Sequence, residues 1–298
     1  MESESFSIVQ QNDHIVGRFT AMASPCEILL ETQDLILANH LTSLAYSETK
    51  RIEQKFSRYL SNNLMANINH SEGQPAVIDE ETFRLLQFAD SCFELSEGQF
   101  DITSGVLRSA WKFDGSDNIP TSETVKALMS GIGWHKVKFD KKSITLAKDM
   151  ELDFGGIGKE YAVDCAAKLC SKYAPNLSVV INFGGDIQVT QPRKNKQPWN
   201  IAIESPEANK ATTKILQIVS GGLATSGDAR RFLLKNGKRY SHILNPKTGY
   251  PIENSPRSVT VAAPHCIQAG LLATLSLLQG ANAESFLHQQ GIKFWCYR

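Results

Sequence analysis

Glycine, lysine and acidic residues are packed into the twelve residues Asp153 to Asp164, DFGGIGKEYAVD, a turn that opens into a helix. Gly155, Gly156 and Gly158 carry no side chain, so a ligand can approach the main-chain N–H groups. A helix starting near Lys159 adds partial positive charge at its first turn. That combination suits a phosphate or another anion. The spacing matches neither the Gly-x-Gly-x-x-Gly of dinucleotide-binding folds nor the Gly-x-x-x-x-Gly-Lys-Ser/Thr of P-loops. Taken alone, the same turn also serves as a plain helix start.

Further clusters join glycine to small polar or ionisable residues: FDITSG at Phe100 to Gly105, NFGGD at Asn182 to Asp186, GGLATSGDARR at Gly221 to Arg231, and HILNPKTGYP at His242 to Pro251. Functional groups concentrate on loops of this composition. Each cluster by itself also reads as a turn, since Asn245-Pro246 and Thr248-Gly249 are ordinary turn formers. His242 lies within these clusters and the other six histidines lie outside them. An imidazole titrates near neutrality, which makes His242 the natural candidate for a base. A structural, hydrogen-bonding histidine is the other reading of the same residue.

The elements that must position these groups follow from periodicity. Leu41, Leu44, Ala45, Ile52 and Phe56 fall on one stripe of a helical repeat, which predicts a surface helix over Leu41 to Phe56. Asp79 is placed to cap a second helix, with Glu80 and Glu81 complementing its dipole and Gly98 ending it. Thr121 to Met129 predicts a shorter one. Strands are expected at Lys136 to Asp140, Ser143 to Leu146, Ser178 to Asn182 and the alternating Trp199, Ile201 and Ile203. A helix after Lys159 buries Val163, Ala166, Ala167 and Cys170, and another from Ile267 to Leu278 is apolar on most sides, hence internal. Grouped helices and meandering strands favour an α+β fold over a doubly wound sheet. The polar stretch Gln191 to Gln197 reads as a loop within one compact unit, not as a domain boundary.

Composition bounds the function. The 298 residues are 42% hydrophobic, as in an ordinary globular protein, and 31 basic residues balance 31 acidic ones. No charge excess draws the chain to nucleic acid or anionic lipid, so an anion site must be local. The N-terminal stretch is acidic and polar, without a basic run followed by an apolar one, which suggests a cytoplasmic protein. No segment reaches the roughly 18 apolar residues of a membrane helix; Leu271 to Leu278 is short and interrupted by Thr274 and Ser276. The cysteines Cys26, Cys92, Cys165, Cys170, Cys266 and Cys296 sit singly among apolar neighbours and read as buried reduced thiols.

In order and composition these clusters resemble the FAD:protein FMN transferase family, the ApbE-type flavin transferases. The resemblance runs from an expected strand at Ala21-Met22-Ala23-Ser24, similar to the family's Met-Gly-Thr, through Phe56-Ser57-Arg58-Tyr59 and FDITSG. It continues through DFGGIGKEYAVD, NFGGD and ATSGD to HILNPKTGYP, so it covers nearly the whole chain. It implies a single bilobed α+β domain with mixed or antiparallel sheets flanked by helices, an ApbE-like (T-fold-like) architecture over residues 18–298 after a polar extension at 1–17. It also implies transfer of FMN from FAD to a threonine or serine hydroxyl of a target protein, with release of AMP and a magnesium ion at the pyrophosphate.

Carried over residue by residue, the resemblance makes His242 the base. It assigns FAD contacts to Met22, Ser57, Asp101, Thr103, Gly155, Gly156, Lys159, Gly184, Gly185, Asp186, Thr225 and Ser226, and magnesium contacts to Gly156 and Thr274. Lys159 also fits a solvated helix-start residue, Asp186 a turn cap, and Thr225 and Ser226 bonds to main chain. In two places the chain departs from the family pattern. Gly270 replaces the family's magnesium-binding aspartate, which lowers the expected metal affinity, and Glu160 stands where the family has glycine after the lysine. Glu160 adds negative charge near the proposed phosphate site or offers a substitute ligand. The competing functions are an FAD-binding protein without transferase activity, motivated by Gly270, and an FAD pyrophosphatase giving FMN and AMP.

Overall fold

Eight strands succeed one another across a single sheet in chain order, every neighbouring pair antiparallel: β1 (Ser7–Gln10), β2 (Ile15–Ala21), β3 (Ser24–Leu30), β4 (Val179–Phe183), β5 (Asp186–Val189), β6 (Gly221–Gly227), β7 (Ser258–Ala263) and β8 (Lys293–Tyr297). The computed structural model describes residues 6–203, 214–228 and 231–298. Ala229 and Arg230 of the GGLATSGDARR cluster therefore lie outside the described residues, as do the first five residues of the N-terminal stretch. Within the expected extension at 1–17, Ser7–Gln10 already pairs with β2.

The four principal helices are α1 (Leu35–Phe56), α2 (Glu80–Leu95), α3 (Gly158–Tyr173) and α4 (Cys266–Leu278), and α1, α3 and α4 pack on this sheet. On one face α1 packs against β2, α3 against β4 and β5, and α4 against β6 and β7. The alternation of strand side chains explains how both faces are covered. Val179, Ile181 and Phe183 of β4 point into the core with the helices, whereas Val180 joins Val189, Leu223, Trp199, Ile201 and Ile203 in a second apolar layer. That second layer is roofed by the hairpin Trp199–Ile203 and Lys214–Ile218, whose first strand alternates buried and exposed as the sequence predicts.

Residues between β3 and β4 add a small sheet of Ala76–Val77, Ser143–Thr145 and Lys138–Phe139, and between β6 and β7 stands a further hairpin, Phe232–Lys235 with Lys238–Ser241. A third apolar cluster joins Val106, Leu107 and Trp111 to Val125, Ile132 and Leu233, across three segments distant in sequence. The architecture is α+β, as expected, and the sheets are antiparallel throughout the described residues.

The predicted helices are present. α1 starts earlier than Leu41 because Asp34 caps it, accepting from the N–H groups of Ile36 and Leu37 at 2.9 and 3.0 Å. Asp79 caps α2 through the N–H of Thr82 at 3.0 Å, and α2 ends at Leu95. The strand expected at Lys136 to Asp140 is shorter, because Trp134–Lys136 forms a 3-10 turn first. One expectation is corrected: Ala21 to Ser24 is not a continuous strand but the hairpin between β2 and β3, with Met22 and Ala23 as its two turn residues at φ +51° and +54°. Two-residue hairpins require left-handed backbone there, so turn geometry overrides the preference of these side chains.

Candidate functional site

Two turns and one strand end meet at one end of the sheet because of register. Cys26 pairs with Phe183, so the Met22-Ala23 turn adjoins the Gly184-Gly185 turn, and Leu223 pairs with Ile187, so Thr225 and Ser226 run past the same end. Gly184 has φ +63° and would place a Cβ 2.9 Å from the Ser24 hydroxyl and 3.7 Å from the Lys159 ammonium. Only glycine combines that backbone with so close an approach. The Met22 N–H is held by Glu53 of α1 at 2.6 Å.

α3 delivers Lys159 to this end. Its cap residue Ile157 supplies no side-chain acceptor, so the helix start offers its dipole and Lys159 without a competing carboxylate cap. Lys159 Nζ lies 2.8 Å from Asp186 Oδ2, and the Thr225 N–H reaches Asp186 Oδ1 at 3.3 Å. Desolvation opposes the Lys159 charge, but the neighbouring carboxylate of Asp186 more than compensates and holds the lysine protonated. Burial pushes the Asp186 carboxyl upward while Lys159 pulls it down. The Thr225 hydroxyl shares a 2.8 Å bond with buried Thr260, and Thr274 of α4 donates to the Ser226 hydroxyl at 3.3 Å.

Glu160, the next residue of α3, points toward α4. A Cβ built on Gly270 would lie 2.7 Å from both its Cγ and its Oε1, so the Glu160 side chain fills the space that any residue larger than glycine would need at 270. Its Oε2 is buried with no hydrogen-bond partner. Burial first, and then the charge of Asp186, pushes the Glu160 carboxyl up to about 8. Asp164, one turn further along α3, accepts from the N–H groups of Cys266 and Ile267, both at 3.0 Å, and so caps α4, whose own preceding residue His265 supplies no cap.

The glycine turn is braced from behind. Gly155 donates its N–H to Asp153 at 2.8 Å, and Asp153 pairs with Arg58 at 3.3 Å and Arg108 at 3.2 Å. Gly156 faces the Phe100 ring, and Asp153 N–H bonds the Ile102 carbonyl at 2.9 Å. Asp101 and Thr103 are buried and spend their polar atoms internally. Asp101 accepts from the Thr103 hydroxyl and N–H at 2.6 and 2.8 Å and from Trp134 N–H at 3.0 Å, while the Thr103 hydroxyl accepts from Gly133 N–H at 2.8 Å. These two residues support the turn from below rather than presenting free groups. Ser57 ends α1, and its hydroxyl accepts from the Tyr59 N–H at 3.3 Å.

His242 stands apart from the Lys159 cluster, with no hydrogen bond between them. It is half-buried against Phe113, and its Nδ1 lies 3.2 Å from the Arg231 carbonyl oxygen. An acceptor there means that Nδ1 carries the proton in the neutral ring, leaving the Nε2 lone pair free. Burial, then the charge of Arg231, lowers the imidazole from 6.5 to about 4. Asp228 and Arg108 also act on it, and Arg108 in turn grips Asp153 beneath Gly155. Asp228 follows β6 directly and is neutralised by Arg257 at 2.8 Å and Arg239 at 3.1 Å. A cleft of about 890 Å³ adjoins this segment, lined by Asp228, Arg239, Ser241, Asn245 and Arg257 among others.

Sequence reading passed over Arg108, Asp153 and Asp164 as functional groups. Asp153 and Asp164 bound the twelve-residue motif, but their partners lie far away in the chain, Arg58 at a separation of 95 and Cys266 at 102. Among the described residues no three His, Cys, Asp or Glu side chains come together as a metal cluster, and no helix is long and apolar enough to cross a membrane. All six cysteines are free thiols.

The family model described as the ApbE family matches residues 22–295. FAD:protein FMN transferases of Chlamydia pneumoniae and Vibrio cholerae are each 32% identical, over 218 and 239 residues. These matches cover 71% and 78% of this chain and 67% and 71% of theirs. The crystal structure of the ApbE protein from Thermotoga maritima agrees with a TM-score of 0.84 at 27% identity, covering 98% of this chain and 94% of that one. The flavin transferase ApbE from Vibrio cholerae gives 0.80 at 25%, covering 98% and 93%. The match opens at the Met22 turn and closes at Trp295 in β8, taking in the Gly184-Gly185 turn, the end of β6, the glycine turn and the His242 segment: the chain belongs to the ApbE family.

Proposed function

We propose that this protein is an FAD:protein FMN transferase, which moves the FMN half of FAD onto a threonine or serine hydroxyl of a target protein and releases AMP. The observation that carries this reading is family membership across residues 22–295, with relatives at 32% identity that bear that name. The geometry supports it at two points. A glycine turn, a helix start and a protonated lysine offer positive charge for a diphosphate, and a neutral imidazole with a free Nε2 stands apart from them, linked to the glycine turn through Arg108, which pairs with Asp153.

In the reaction, the acceptor hydroxyl oxygen attacks the phosphorus that bears the flavin. One P–O bond forms, the bridging P–O bond breaks, and AMP leaves with that bond's electron pair. His242 takes the hydroxyl proton at Nε2. Its lowered affinity for protons keeps it in the unprotonated form that this task requires at neutral pH. Gly155 and Gly156 carry no side chain that would keep a diphosphate from the start of α3, although the Gly155 N–H is already donated to Asp153, and Lys159 supplies the positive charge, oriented by Asp186. Met22, Gly184, Gly185, Thr225 and Ser226 form the rim around it, while Ser57, Asp101 and Thr103 act from behind. Magnesium fits one feature here, the buried Glu160 oxygen without a partner, next to the helix that bears Thr274. Gly156, through its carbonyl, and Thr274 would complete the protein's share; the ion, when bound, neutralises diphosphate charge. The unpaired thiols suit a cytoplasmic setting.

The test mixes the protein with FAD, magnesium and a threonine-bearing acceptor and looks for covalent flavin on a denaturing gel. His242→Ala is expected to lower the rate by roughly 10²–10⁴-fold. A fluorescent acceptor band unchanged in that variant would remove the assigned base. FAD bound without AMP release would favour a binding protein, and FMN with AMP but no labelled acceptor would favour hydrolysis.

A further inference from the structure

We infer that Glu160 supplies the carboxylate of the cation site, reaching across from α3 into the space left by Gly270 on α4, so that residues 160 and 270 act as one exchanged pair. The inference rests on the transferase reading for the identity of the ligand, FAD, but its argument is local. Three carboxylates surround the meeting point of α3, α4 and β6. Asp164 spends both oxygens on the N–H groups that start α4, and Asp186 spends both on Lys159 and the Thr225 N–H. Glu160 alone among them retains a buried oxygen with nothing bonded to it. A buried carboxyl oxygen without a partner is costly, and a bound cation would complete it by displacing its proton.

Its position is as telling as its vacancy of partners. Both Oε1 and Cγ of Glu160 lie 2.7 Å from where a Gly270 Cβ would stand, so this carboxylate occupies the place that a short acidic side chain on α4 would fill. The two positions exclude each other: any side chain at 270 collides with Glu160, and removal of Glu160 empties the space. Thr274 lies one turn further along α4 and its hydroxyl reaches toward Ser226 on β6, which puts a neutral oxygen ligand on the same face of that helix as Gly270. Glu160 thus brings its carboxyl from α3 to the surface of α4 at Gly270, beside the turn that carries Thr274.

The test measures FAD binding by quenching of flavin fluorescence, with and without Mg²⁺, in the full-length protein. The wild type is expected to bind FAD about tenfold more tightly with Mg²⁺. Glu160→Gln keeps shape and volume, and is expected to bind FAD with less than about twofold response to Mg²⁺. The double variant Glu160→Gly, Gly270→Asp returns the carboxylate from the other helix and is expected to restore most of the response, whereas Gly270→Asp alone meets Glu160 and lowers the melting temperature. Circular dichroism melts identify any variant that fails to fold, and the double variant then carries the test. An equal Mg²⁺ response in wild type and Glu160→Gln would overturn the inference while leaving the transferase reading intact. Absence of FAD binding in the wild type would instead overturn that reading, and this inference with it.

Discussion

At residue scale, the proposed base His242 needs an unprotonated nitrogen. The Arg231 carbonyl takes the Nδ1 proton, which leaves Nε2 as the lone-pair nitrogen, and burial together with the Arg231 charge keeps the ring neutral. Because the folded imidazole is depressed to about 4 from 6.5, kcat/KM should hold its neutral value as pH falls through 6 and decline only toward 4. A pH–rate profile with its acid limb near 6.5 would contradict this. The same depression makes a stability contribution that is present above 6.5 and lost as pH falls through about 4, because the unfolded chain takes up the proton first. His242 was legible as a candidate base from its cluster. Its tautomer was not, since that depends on a carbonyl eleven residues away across a hairpin. Glu160 was visible as a departure from pattern, yet only the contact with Gly270 shows where its carboxylate goes.

At the scale of elements, α3 and the β2–β3 hairpin carry the site, and each permits a quantitative check. Asp164 on α3 caps α4 through two N–H groups, so Asp164→Ala should cost about 1–2 kcal/mol in urea denaturation, with Asp164→Asn in between. Ala23 sits at φ +54°, where an L side chain costs about 1 kcal/mol, so Ala23→Gly should raise stability by about that amount. No gain would show that neighbouring contacts have already relieved the turn. Helices with an apolar stripe and a capping acid were readable in advance, because both signals are local. The hairpin at Met22-Ala23 was not, because neither residue is a turn former and the register of β2 on β3 decides the matter. The short strand at Lys138–Phe139 was overextended for a related reason: Trp134 N–H is captured by Asp101, which holds Trp134–Lys136 in a turn.

At the scale of the whole molecule, an ionic knot ties three helices together. Glu81 of α2 receives both Arg51 of α1, at 2.6 and 2.8 Å, and Lys55 of α1, at 2.6 Å, while Tyr161 of α3 donates its hydroxyl at 2.8 Å. The Arg51 hydrogen bonds come first among the effects that hold the Glu81 carboxyl down to about 2 from 4.5. Its stabilisation is therefore present above 4.5 and lost as pH falls through about 2, and Glu81→Gln should flatten acid unfolding across that range while lowering stability at neutrality. Such a knot was invisible in sequence, since its members come from residues 51, 55, 81 and 161 and only tertiary packing assembles them. The overall class was legible because grouped helices and alternating strands survive as periodicity, whereas the in-order sheet appears only in three dimensions. The central claim is that this assembled end of the sheet transfers FMN to a protein hydroxyl. Intact-mass spectrometry of a threonine-bearing acceptor, after incubation with the protein, FAD and magnesium, tests it most directly. One FMN phosphoester per acceptor, with an equal amount of AMP and loss of both in His242→Ala, is the predicted result. An unmodified acceptor alongside intact FAD would contradict it.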